Sequence, residues 1–168
     1  LLSRSIADQG KTDGVSAVGP NPGVFDLLSS YEWRVWGFSK KYLACVKGKM
    51  EKESDTFVDY LLRLDNGNTI VDKAGKKAVL SYKVLQYNEK VDASLVDISL
   101  ETGRHHQIRV QFASRGHYLL GDQRYGCQDK TQIALYAYCL EFVHPVSKER
   151  MSFTLKPGSV GHWTSFTV

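Results

Sequence analysis

The chain has 168 residues, a formal net charge of +4 (22 basic against 18 acidic side chains) and 42% hydrophobic residues, including nineteen aromatics. That is the length of one domain with ample material for a packed core. It holds no apolar run of about 18 residues that would read as a membrane span, and its mild basicity permits an RNA partner without requiring one.

Residues 1–24 are rich in Gly, Ser, Pro and Asn and read as a flexible N-terminal segment ahead of a domain over 25–168. The chain opens at Leu1 with no charged-then-apolar leader, which suggests a trimmed product. Gly10-Lys11-Thr12 imitates the tail of a phosphate-binding loop, but Ser5 stands where that loop needs glycine and no apolar strand precedes it. A short helix is expected over Val24–Leu28. Strands are expected at about 42–46, 56–63, 78–87 and 94–101; in the last, Leu95, Asp97 and Ser99 alternate with Val96, Ile98 and Leu100. Asp65-Asn66-Gly67-Asn68 is a hairpin signal. A helix near 105–115 should stop at Gly116, and further strands are expected over Ile133–Val143 and Ser152–Leu155. Many strands and few helices predict an α+β fold with a mainly antiparallel sheet.

The densest chemistry lies between Glu101 and Gly126. At ~100° per residue, Ile108, Phe112, Ala113 and Gly116 share one helical arc, and Arg109 falls inside it. An arginine there needs a buried carboxylate or a phosphate to offset its desolvation, unless it snorkels from the edge of the face. Basic residues group around this segment (Arg104, Arg109, Arg115, Arg124), around Lys40, Lys41, Lys47, Lys49 and Lys52, and at Lys73, Lys76 and Lys77. No HxxxH pair joins the five histidines, adjacent His105 and His106 diverge on a helix, and no cysteine lies near them, so no metal site is expected. Cys45, Cys127 and Cys139 form no CxxC pair and point to buried free thiols in a reducing compartment. No GxSxG elbow supports a hydrolase.

Thr102, Gly103, Arg104, His106, Gln107, Ile108 and Arg109, then Gly116, His117, Leu120, Gly121, Asp122, Tyr125 and Gly126, together resemble the signature of the RluA family of RNA pseudouridine synthases. His105 and Gln111 depart from its usual residues. Lys41-Tyr42-Leu43-Ala44, Lys76-Lys77-Ala78-Val79 with Tyr82, and Phe142-Val143-His144-Pro145 extend the likeness over residues 40–156, and Lys11–Val15 resembles the family's opening segment. The resemblance implies a pseudouridine-synthase-like fold and isomerisation of uridine to pseudouridine in ribosomal or transfer RNA, without a cofactor, by a protein of the cytoplasm or an organellar matrix that acts as a monomer. It implies that Arg109 keeps a nucleophilic aspartate ionised, that Ile108 packs under the uracil, and that Tyr42 stacks on the base and assists proton loss at C5. Arg104, His106 and Gln107 are candidates for RNA backbone contacts or for fixing the helix start, and Lys40 and Lys41 for RNA binding. Gly121-Asp122 and Tyr125-Gly126 are expected to shape the loop after the helix.

The family's aspartate, in an HRLD-like motif, is not found. Its place falls within Ser29–Ser39, SSYEWRVWGFS, which is several dozen residues too short. Arg63-Leu64-Asp65 lies after the Lys41 strand and lacks the residues that should follow it. Two accounts stay open: the sequence omits a segment of the full protein, or the protein is a catalytically silent RNA-binding or ribosome-assembly relative.

Overall fold

The structure, a computed structural model, describes residues 39–144 and 146–168. The expectations for 1–24, the helix at Val24–Leu28 and nearly all of the Ser29–Ser39 interval lie outside them. The described residues form a seven-stranded sheet in the order β3-β2-β4-β5-β1-β6-β7, every neighbouring pair antiparallel. The strands are β1 (Ser39–Lys47), β2 (Ser54–Arg63), β3 (Thr69–Val71), β4 (Lys76–Asn88), β5 (Ala93–Leu100), β6 (Leu135–Val143) and β7 (Arg150–Thr154). Among the described residues there is one α-helix, α1 (Gln107–Ala113), which lies on a face of the sheet. This is the α+β architecture that the element pattern predicts.

Burial follows position in the sheet. β1 sits between β5 and β6, and Leu43, Ala44, Cys45 and Val46 are all buried because both faces are covered. On the α1 side, Ala44, Val46, Phe57, Leu80, Tyr82, Val96, Ile98, Ile108 and Phe112 form the main core. On the other side, Leu43, Cys45, Ala93 and Leu95 pack beneath Phe166, with Trp163 and Val168 alongside. β2 lies beyond that cover and alternates: Phe57 and Leu61 are buried, Val58 and Tyr60 exposed. All three cysteines are free, and burial pushes the Cys45 thiol up to about 12.

Local signals hold with shifts at the edges. The Asp65–Asn68 turn joins β2 to β3, with Gly67 at φ +78° and the Asn66 side chain accepting from the Asn68 N–H at 2.9 Å. Gly116 ends α1 at φ +83°: its N–H bonds Ala113 O and the His117 N–H bonds Phe112 O, the paired bonds of a Schellman stop. The arc of α1 is wider than expected. Gln107, Val110 and Gln111 are buried as well as Ile108 and Phe112, whereas Gly116 is exposed. Val110 accounts for part of this, filling a second small core with Leu61 and Ala78.

Phe112 is fully buried, with ring centroids 5.2 Å from Phe57 and 5.6 Å from Tyr82. Phe112→Ala should therefore destabilise the fold by about 3–5 kcal/mol in urea denaturation, whereas Val58→Ala on the exposed face should stay within about 0.5 kcal/mol. Equal costs would mean that α1 does not seal this core.

Candidate active site

A seven-residue helix cannot stand alone in water, so tertiary contacts must hold α1. Gln107 supplies the first. Its Oε1 accepts from the Thr102 hydroxyl at 2.8 Å and the Arg104 N–H at 2.9 Å, while its Nε2 donates to Val79 O at 3.0 Å. The side chain is 2% exposed, so these bonds fix the helix start on β4 and leave Gln107 no surface for a phosphate. Of the two roles expected for it, the internal one matches its contacts. Arg104 is half-buried; its Nε donates to Lys77 O at 2.9 Å.

Arg109 meets the carboxylate that its position demands. Its Nε donates to Asp122 Oδ2 at 2.8 Å and its Nη2 to Asp122 Oδ1 at 2.7 Å, a two-pronged pair in which the Asp122 side chain has no exposure and that of Arg109 is 21% exposed. The guanidinium lies over the Tyr125 ring at 4.9 Å. Its Nη1 makes no hydrogen bond among the described residues, so that edge remains able to take a second anion. Asp122 reaches its place through Gly121, at φ +77°, where a Cβ would come within 2.4 Å of Gln132 O. Sequence reading assigned Asp122 to loop shape; the available signal was its place in the same signature as an arginine in want of a carboxylate. Gln111, one of the two departures from the family pattern, is also fully buried and donates to Asp59 at 2.7 Å, and Arg115 takes both oxygens of the same carboxylate.

The histidines build a third contact. His106 occupies a left-handed conformation at φ 51°, and its Nδ1 lies 2.8 Å from the Tyr125 hydroxyl, which also accepts the Thr69 N–H at 3.0 Å. The His105 and His106 rings pack with centroids 3.8 Å apart, tilted by 32°, and His105 Nδ1 lies 2.9 Å from Thr69 Oγ1. Burial first, then the charges of Arg109, His105 and Arg124, holds His106 down at about 4. His105 is lowered by burial, then by Arg63, Arg109 and Arg124. At neutral pH His106 is therefore an uncharged latch between α1 and the β2–β3 hairpin, and offers an RNA phosphate no positive charge.

Tyr42 and Ile108 belong to the same apolar region. Tyr42 is a half-buried residue of β1 that packs on the core cluster containing Ile108, and burial raises its pKa. Opposite Lys41 and Tyr42 the β1–β6 register shifts by one residue, from Cys139 to Ala137, which leaves Tyr138 as a bulge in β6. Arg109, the next residue of α1 after Ile108, meets Asp122 and Tyr125 instead of this apolar cluster. Lys40 and Lys41 are half-buried on β1, and burial lowers Lys40 to about 8, still mostly protonated at neutral pH. Among the described residues no group of histidine, cysteine and acidic side chains could hold a metal ion.

A family model described as RNA pseudouridylate synthase matches residues 30–114, half of the chain. The chain belongs to the RNA pseudouridylate synthase family. Its relatives bear out the RluA-type resemblance. An Aquifex aeolicus protein named as an uncharacterized RNA pseudouridine synthase is 36% identical over 160 residues, covering 87% of this chain and 50% of its own length. Ribosomal large subunit pseudouridine synthase D of Nitrosomonas europaea is 39% identical over 138 residues, covering 73% of this chain and 38% of its own. The chain thus spans about half the length, or less, of these curated relatives. In fold it is similar to human RNA Pseudouridylate Synthase Domain Containing 1, with a TM-score of 0.65 at 23% identity over 78% of this chain and 59% of that one. Among the described residues no helix is long and apolar enough to cross a membrane.

Removing one partner of the Arg109–Asp122 pair leaves the other charge poorly solvated. Asp122→Asn should cost about 3 kcal/mol in chemical denaturation, and a cost below about 0.5 kcal/mol would show that the pair does not hold α1. The pH dependence follows from the histidines. Both are lowered in the folded state relative to about 6.5 when unfolded, so the unfolded chain binds more protons; stability is full above that value and falls as pH drops from about 6.5 towards 4. His106→Asn tolerates the left-handed backbone and keeps a hydrogen-bonding group near Tyr125. It should flatten part of this loss in thermal melts between pH 7 and 4.5, and an unchanged slope would remove His106 from the account.

Proposed function

We propose that the protein is an RNA pseudouridine synthase that isomerises uridine in ribosomal or transfer RNA, working as a monomer without a cofactor in the cytoplasm or an organellar matrix. The observation that carries this reading is the state of Arg109. A family-signature arginine is locked on Asp122 by one edge and keeps Nη1 open, on the helix whose neighbouring residue, Ile108, packs in the Tyr42 cluster. In this proposal the open edge stabilises the anionic form of a nucleophilic aspartate, which burial alone would favour protonated. Ile108 supports the uracil, and Tyr42 stacks on it and assists removal of the C5 proton. The bond from the ribose to N1 breaks, the base turns, and the ribose joins C5; the proton leaves C5 and N1 gains one, so the product is an isomer. The target base must leave its stack first, at a cost of a few kcal/mol.

The resemblance places the aspartate between Glu32 and Lys40, where this sequence has none. That favours a second reading, a silent RNA-binding relative. The reading frame around Trp33 and tritium release from RNA labelled at uridine C5 separate the two. The full protein should carry an HRLD-like segment and release tritium. In it Arg109→Lys, which loses the fork, should lower kcat about 10²-fold and change RNA affinity less than threefold. Background release from a full-length protein lacking that segment would establish the silent relative.

A further inference from the structure

Arg63, Arg124 and His105 take no part in the Arg109–Asp122 pair. Arg63 is the last residue of β2 and pairs in the ladder with Thr69, the first of β3, so the two side chains share the α1 face of the hairpin. Thr69 in turn meets His105. Arg124, in the loop after α1, reaches across to the hairpin turn, where its Nη1 donates to Gly67 O at 3.0 Å. Three segments far apart in sequence thus deliver three nitrogen-bearing side chains to one junction.

We propose that this junction of the β2–β3 hairpin with the signature segment grips one backbone phosphate of the substrate RNA, through Arg63, Arg124 and the outer ring nitrogen of His105. The inference rests on the RNA reading above and adds a contact to it. Arg63 is exposed and makes no hydrogen bond or ion pair among the described residues, so its whole fork is available. Arg124 spends one nitrogen on Gly67 O and is otherwise exposed. His105 uses Nδ1 internally and is exposed, which leaves Nε2 to face a ligand. The nearby acids do not neutralise the group: Asp122 is held by Arg109, and Asp65 lies in the hairpin turn without an ion pair among the described residues. Of the remaining neighbours, Arg109 adds positive charge and His106 is neutral. Burial first, then the charges of Arg63, Arg109 and Arg124, lowers the proton affinity of His105. A phosphate fits because two guanidinium forks and an imidazole N–H can share its oxygens, and because it relieves the mutual repulsion of the cations.

The test is RNA affinity of this chain, read by anisotropy of a fluorescein-labelled RNA hairpin over a salt series, so it does not depend on the nucleophile. Arg63→Gln breaks no internal bond and is the decisive variant; Arg124→Gln is the second; Lys90→Gln, in the turn at the far end of β4, is the control. Each arginine variant should weaken binding about three- to tenfold and reduce the slope of log affinity against log salt by about 0.7–0.9. The control should match the parent. In the parent, the His105 ring signal should titrate at higher pH with RNA bound than without. If the parent binds RNA and Arg63→Gln matches it in affinity and slope, the phosphate site is wrong and the RNA reading stands. If the parent shows no salt-dependent RNA binding, the RNA reading itself fails and the proposal with it.

Discussion

One buried carboxylate organises this end of the molecule. Asp122 has no contact with water, and its charge is offset by the fork of Arg109 on a helix too short to form by itself. The pair can close only if the loop brings Asp122 back against α1, and the loop can do that only because residue 121 is a glycine running at φ +77° beside Gln132 O. Its consequences then spread. The guanidinium rests on Tyr125, the Tyr125 hydroxyl holds Thr69 and His106, and the hairpin is thereby fixed to the signature segment. Helix, loop and hairpin are ordered by the same small set of bonds.

The arrangement divides α1 into two working sides. Ile108 enters the apolar cluster that Tyr42 packs against, whereas Arg109, the next residue and ~100° round the helix, enters a polar junction crowded with cations. The flat face of a base suits the first environment and an anion the second. The neutrality of His106 belongs to this division. Protonation beside Arg109 and Arg124 would add repulsion to a junction already rich in positive charge.

The sheet and the helix were legible in the sequence because their signals are local. Alternation marks β5, the Asn66-Gly67 turn fixes the hairpin, and Gly116 stops α1. The demand of Arg109 for an anion was legible too, since an arginine on an apolar arc must be compensated. What compensates it was not, because Asp122 lies thirteen positions away, beyond the end of the helix, and only the return of the loop brings it near. β3 escaped notice as a strand because it is three residues long with one buried. Gln107 pointed equally to RNA and to the helix start; its burial depends on how β4 passes beneath it, which no periodicity in residues 105–115 encodes.

The position of β1 bears on the aspartate. β1 runs through the sheet between β5 and β6, and its first residues, Ser39–Lys41, pair with Glu141, Leu140 and Cys139 on one side and, from Lys41, with Ser99 on the other. Any segment inserted just ahead of Ser39 must therefore enter the sheet at this end of β1. Tyr42 stands three residues further on, beside the bulge. The family resemblance puts its nucleophile ahead of β1 in the sequence, and Tyr42 stands near the start of that strand, packed on the cluster that contains Ile108. In the reading proposed for the active site the aspartate and the tyrosine act on one uracil, so the segment ahead of β1 would have to bring its carboxylate back to this cluster.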